Sequence, residues 1–176
     1  GHVTGVQTCA HPIYPNVITL GRPWPVVASG SVVRIALNPR SGRAVQRVLE
    51  AEQFDVVHVH EPLMPMLPIQ VLRHARKANP RVVNVGTFHA RKDGGNRLYA
   101  YGRRLLKRWF RELDGKIAVS TPAAQYVERY FRGYYNIIPN GIDVTHWSRP
   151  DIVPAPGLEQ TVNILYTGRE IGRAHV

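Results

Sequence analysis

Cysteine is almost absent from this chain: of 176 residues one is a cysteine, Cys9. A lone thiol builds neither a disulfide framework nor a Cys-based metal centre, and nothing else signals an oxidising compartment. Long apolar runs are missing too. None approaches the roughly 18–20 residues that cross a bilayer, and the opening residues lack the charged stretch and apolar core of a secretory leader. Acidic residues are scarce, 12 against 23 Lys and Arg, which leaves a formal charge of +11. That balance favours anionic partners. Nucleic acid is not the expected one, because no RNA-binding signature, helix-turn-helix or zinc finger accompanies the charge. Internal repeats and low-complexity tracts are also absent.

The two ends read differently from the middle. Residues 3–13, VTGVQTCAHPI, resemble the translation of a sequencing-library adapter, and residues 171–176, IGRAHV, resemble its inverted copy. Residues 1–13 and 170–176 are therefore expected to lie outside the fold. Glu170 and Arg173 cancel, so the basic balance belongs to residues 14–169. Cys9 falls in the suspect arm.

A stretch of about 156 residues can bury a substantial core. Its pattern alternates short β-rich runs with longer helical ones. Residues 54–59, 81–85 and 116–119 read as strands buried on both faces. Residues 63–77 and 96–113 are long enough for crossover helices, and Ser120 or Thr121 can cap a third helix to about residue 131. The order β-α-β-α-β-α-β implies an α/β fold with a parallel, doubly wound sheet. Residues 16–38 break the rhythm with short apolar pieces between Gly21, Pro23, Pro25 and Gly30, read as a β-meander before a helix over 40–52. Residues 149–160 read as a linker, and 161–169 as the opening strand of a second domain. The first domain thus spans 14–148.

Three motifs place polar residues directly after an apolar run: FDVVHVHEP at 54–62, VGTFH at 85–89 and IPNGID at 138–143. Open α/β sheets put their ligand sites at such carboxyl ends of strands. Taken in order, and with Gly30-Ser31-Val32 followed by Arg34 upstream, they resemble the N-terminal, acceptor-side domain of family 4 glycosyltransferases of the GT-B fold, most nearly the phosphatidylinositol mannosyltransferases. The resemblance runs from about residue 17 to 169. It implies that a strand, a glycine loop and a helix precede this stretch. It also implies that a nucleotide-sugar domain with a Glu-x7-Glu motif follows NILYTGR at 163–169.

The same resemblance assigns roles. His89 matches the histidine beside the transferred sugar, where an imidazole can hydrogen-bond a hydroxyl or a developing charge. Ser29, Gly30 and Arg34 match the acceptor-headgroup region. A guanidinium suits a phosphate there, and glycine permits close backbone approach. Ala28-Ser29 stands where a Tyr-Asn pair is usual, which leaves the acceptor class open. Glu61 is a candidate for orienting loops around the acceptor or for capping the next helix. Arg169 matches the arginine that meets the donor diphosphate. Asn140-Gly141 forms a turn that tolerates positive φ and shapes the hinge side of the cleft.

His58 and His60 lie on one face of a strand, as a metal pair would. Packing or internal hydrogen bonding is the preferred reading, and no metal is expected. Basic residues gather on two helices, Arg40, Arg43 and Arg47 on one, and Arg97, Arg103, Arg104, Lys107, Arg108 and Arg111 among Tyr99, Tyr101, Trp109 and Phe110 on the other. The second pattern suits an anionic membrane surface.

The expected function is transfer of a hexose, mannose first, from a nucleotide-sugar to a lipid, glycan or other anionic acceptor, with retention. The donor, GDP-mannose or a UDP-hexose, is a substrate; no resident cofactor is expected. The fragment alone should be inactive, and the expected location is cytoplasmic or peripheral on the inner face of the plasma membrane. A nonenzymatic sugar- or lipid-binding module on the same sheet is the alternative.

Overall fold

A computed structural model describes residues 5–7, 17–20, 23–28, 31–36, 41–91 and 95–148. The chain divides into two compact units, Gly1–Pro139 and Asn140–Val176. Ser29, Gly30, Arg169, the expected linker and the strand over 161–169 lie outside the described residues.

The first unit opens with short strands. β1 (Gly5–Gln7) pairs in parallel with β2 (Val17–Thr19), and β3 (Pro23–Ala28) pairs antiparallel with β4 (Ser31–Ala36). The expected meander is thus one hairpin, closed at Ala28 opposite Ser31, with β2 in a separate two-stranded sheet. β1 falls within the stretch read as adapter translation. Helix α1 (Ser41–Glu52) follows, burying Val45 and Leu49 at helical spacing.

The centre of the unit is a four-stranded parallel sheet in chain order, β5 (Val56–His60), β6 (Val83–Phe88), β7 (Gly115–Ala118) and β8 (Asn136–Ile137). The connections are α2 (Leu67–Ala78), α3 (Arg97–Phe110) and α4 (Thr121–Glu128). This is the parallel α/β architecture that the alternating pattern implied. Right-handed crossovers between sequential neighbours set these three helices on one face of the sheet, and α1 packs against α2.

That arrangement corrects the reading of β5 as buried on both faces. Val57 and Val59 are buried, whereas Val56, His58 and His60 are exposed. The helix layer covers one face of these strands; among the described residues no helix covers the other, where Val56 is 56% exposed. Helix α2 also starts later than the apolar run suggested. Pro62 and Pro65 disfavour helical geometry in the residues before them; the chain turns through Met66 at φ 75, and the helix begins at Leu67 with Pro68 in its first turn.

The other boundaries follow ordinary capping chemistry. The Asn96 side chain accepts from the Tyr99 N–H at 3.1 Å, and the Ser120 hydroxyl accepts from the Ala123 N–H at 3.3 Å. Gly95, just before the α3 cap, sits at φ +75, where glycine carries no steric cost. The core joins Val45, Leu49, Leu63 and Leu72 to an aromatic group on the far side, in which Tyr99, Phe110, Phe131, Tyr135 and Phe88 meet ring to ring.

A polar clamp ties the ends of β6 and β7 to α2. Arg76 reaches Asp114 at 2.7 Å and Glu112 at 3.2 Å, and the Asp114 carboxylate accepts from the Asn84 N–H at 2.8 Å. Partial burial works to raise the Asp114 carboxyl, but the Asn84 N–H and the Arg76 guanidinium outweigh it and hold the group below its ordinary value. A lowered carboxyl adds stability above its unfolded value and loses it as pH falls through the folded one. Urea midpoints measured from pH 7 to pH 3 should therefore show wild type losing this contribution below about pH 4, while Asp114→Asn lacks it throughout. The loss should stay under about 1 kcal/mol, because the paired side chains are roughly two-fifths exposed.

In the second unit, residues 140–143 lead into the short helix α5 (Val144–Trp147). Neither Asn140 nor Gly141 adopts positive φ, so the Asn-Gly turn does not use the conformation its sequence tolerates.

Candidate functional site

Two of the three strand-end motifs meet in space. β5 and β6 are adjacent and parallel, with His58 opposite Val85 and His60 opposite Thr87. Side chains at alternate positions share a face, so His58, His60 and Thr87 stand together, and His89 follows one step beyond the end of β6.

The hydrogen bonds join them into one group. His58 Nε2 and Thr87 Oγ1 share a hydrogen bond of 2.6 Å, and His60 Nδ1 and His89 Nε2 share one of 2.7 Å. The three imidazoles lie in a row, with centroids 4.7 Å apart from His58 to His60 and 5.0 Å from His60 to His89. Burial pushes the His60 imidazole below its ordinary value, and the neighbouring His58 and His89 push the same way. His60 is therefore neutral at pH 7. Protonating it as pH falls below its unfolded value of about 6.5 works against the folded arrangement.

Glu61 supplies the second tie. Its backbone is left-handed at φ 49, an uncommon conformation for a glutamate. There its Oε1 accepts from the His89 N–H at 2.7 Å and from the Ala90 N–H at 2.8 Å, while its own N–H donates to the Thr87 carbonyl at 2.8 Å. The carboxylate thus caps the chain leaving β6 rather than helix α2, whose N-cap Met66 makes no side-chain cap bond. His89 and Ala90 are exposed. The pair His89 and Glu61, assigned separately in the sequence, is one structural unit; His60 and Thr87 were missed as its members. The His-x-His spacing and the strand register are the signal that could have found them.

Gly86 makes the junction tight. A Cβ there would lie 2.8 Å from Pro62 Cγ and 2.9 Å from Leu113 Cδ1, so only glycine lets Pro62, and Glu61 with it, settle over β6. Beside β5 a cleft of about 520 Å³ runs along the strand, lined by apolar side chains such as Leu49, Val56 and Val71, with His58 and His60 at its border.

Of the remaining candidates only the backbone of Arg34 is described. Arg34 lies on β4 opposite Pro25, and Ser29, Gly30 and Arg169 are outside the described residues. Among the described residues no cluster of three or more His, Cys, Asp or Glu is arranged to hold a metal ion.

Comparison with known proteins adds independent weight to these motifs. The chain is 33% identical over 154 residues to a phosphatidyl-myo-inositol mannosyltransferase of Mycobacterium leprae, covering 87% of this chain and 39% of that protein. Proteins of the same name from Mycolicibacterium smegmatis and Mycobacterium tuberculosis are 28% and 30% identical, each over 96% of this chain and 43% and 44% of their own lengths. The chain therefore spans about two-fifths of the relatives it matches. Residues 8–146 match Glycosyltransferase Family 4. That match takes in most of the chain and all three strand-end motifs, and the chain belongs to glycosyltransferase family 4.

Proposed function

We propose that this chain is the acceptor-side portion of a retaining glycosyltransferase that moves mannose or a related hexose from a nucleotide-sugar to a lipid acceptor. The observation that carries the reading is the clasp of Glu61 on the His89 backbone, which fixes an exposed imidazole at the carboxyl end of a parallel strand. In such a sheet that is where a ligand is met. In this reading His89 contacts the transferred sugar, Ser29, Gly30 and Arg34 receive the acceptor headgroup, and Arg169 meets the donor diphosphate. No enzyme nucleophile is assigned. Closure of donor and acceptor portions over the sugar would exclude water before transfer.

The lipid acceptor is favoured by α3. Leu98, Tyr101 and Leu105 recur at helical spacing and are 41%, 88% and 68% exposed. Arg97, Arg104, Lys107 and Arg108 surround them, all exposed. The stripe sets this face apart from a purely charged one, and no helix among the described residues is long and apolar enough to cross a membrane. An apolar stripe with basic flanks suits the plane of an anionic lipid surface. Vesicle sedimentation should show salt-sensitive binding to phosphatidylinositol-containing vesicles and none to duplex DNA. Arg104→Glu and Lys107→Glu should each weaken it about fivefold or more.

The function is tested by assaying labelled mannose transfer from GDP-mannose to phosphatidylinositol vesicles. The gene product extended to the length of the relatives should transfer sugar, the 176-residue chain should not, and His89→Ala should slow the extended enzyme at least tenfold. Donor and vesicle binding by the extended protein without any transfer would instead identify a binding module.

A further inference from the structure

The His60–His89 contact constrains the chemistry of both rings. A hydrogen bond between two imidazole nitrogens needs one N–H and one lone pair, so the 2.7 Å contact exists only while the pair shares a single hydrogen between those atoms. If both rings were fully protonated, two N–H groups would point at each other across that distance and the contact would break. Each ring is also held from elsewhere. His60 lies on β5 against the His58 ring, itself bonded to Thr87, and the His89 backbone is fixed by Glu61.

We propose that His60 is a positioning residue for His89: its Nδ1 engages His89 Nε2 and leaves His89 Nδ1 as the nitrogen that meets a ligand. The titratable groups around the pair are His58 from β5 and Glu61 from the turn after it. The inference concerns ring geometry; its catalytic consequence rests on the reading of His89 as the residue beside the transferred sugar.

With Nε2 committed to His60, His89 presents Nδ1 from a held ring rather than a rotating one, as donor or acceptor according to which ring supplies the hydrogen of the contact.

Long-range proton–nitrogen NMR of the histidine rings tests this directly. In the 176-residue wild type, His89 Nε2 should show the shift of a nitrogen hydrogen-bonded to His60 Nδ1. His60→Leu should release His89 Nε2 and remove that shift. His60→Asn, whose amide can stand where Nδ1 stands, should keep Nε2 engaged. Unchanged His89 ring shifts in His60→Leu, with the backbone amide spectrum otherwise preserved, would overturn the proposal.

The enzyme of full relative length gives a second readout. There His60→Leu should lower kcat about tenfold at constant KM and alter the pH–rate profile, and His60→Asn should restore both. Equal kcat and pH profiles in wild type and His60→Leu would also sink the positioning role. If His89→Ala leaves transfer unchanged, the catalytic assignment of His89 fails, while the contact between the rings is still decided by NMR.

Discussion

Phe88→Ala should cost about 3–5 kcal/mol, the range for deleting a buried phenylalanine where the surroundings cannot collapse. Phe88 is 2% exposed at the last position of β6, with its ring edge-on to Tyr135 at 5.7 Å and 75°. Tyr135 is held in turn, because its hydroxyl donates to the Phe131 carbonyl at 2.6 Å and its ring meets Phe110. The space left by the lost ring would therefore face a pre-set aromatic wall. In a chain of this size the melting temperature should fall by roughly 10 °C or more. Phe88→Leu, which keeps most of the volume, should lose much less. Thermal melts of the two variants decide the matter; equal losses would mean that the aromatic contact, and not the volume, supports β6.

Gly86→Ala should be nearly as damaging, at about 3 kcal/mol, although it adds a single methyl group. Overpacking of an interior site ordinarily costs about 1–3 kcal/mol. The upper end applies because the new carbon would fall 2.8 Å and 2.9 Å from a buried proline ring and a buried leucine. Proline has no alternative rotamer to offer, so Pro62 must move, and Glu61 moves with it. The variant should thus combine a lowered urea midpoint with looser protection of the His89 and Ala90 amides, read by hydrogen exchange. A lowered midpoint with full protection at those two amides would show that the Glu61 clasp does not depend on how Pro62 is seated.

The elements that were legible in the sequence are those with a strong local signal. The alternation of β-rich runs and amphipathic stretches located α1 through α4 and β5 through β8, and Asn96 and Ser120 marked helix starts by their chemistry. Boundaries moved where a local rule competed with periodicity: Pro62 and Pro65 delayed α2, and β6 runs on through Thr87 and Phe88, past the point where its apolar run was thought to end. The one-sided burial of β5 was hidden because Val56, Val57 and Val59 read as a continuous apolar run. Which of them is covered depends on where the crossovers place the helices. In the site, His89 and Glu61 were visible through their motifs. The Glu61 backbone at φ 49 was not, since nothing local in a glutamate announces a left-handed turn, and the pairing of His60 with His89 requires the β5–β6 register, a long-range fact.

The order of the central sheet also bears on how this domain comes into being. Each of β5, β6 and β7 pairs with the strand that follows it in the chain, so within this sheet no strand waits for a distant partner. Pairing with the next strand keeps each loop closure shorter than pairing with a more distant one would, so less chain entropy is lost at each step. On a ribosome the β5–α2–β6 unit can assemble as soon as it emerges, with α3–β7 and α4–β8 then adding in turn. The pairing of His60 with His89 belongs to that first unit, so the two rings would be in place before the rest of the sheet is synthesised.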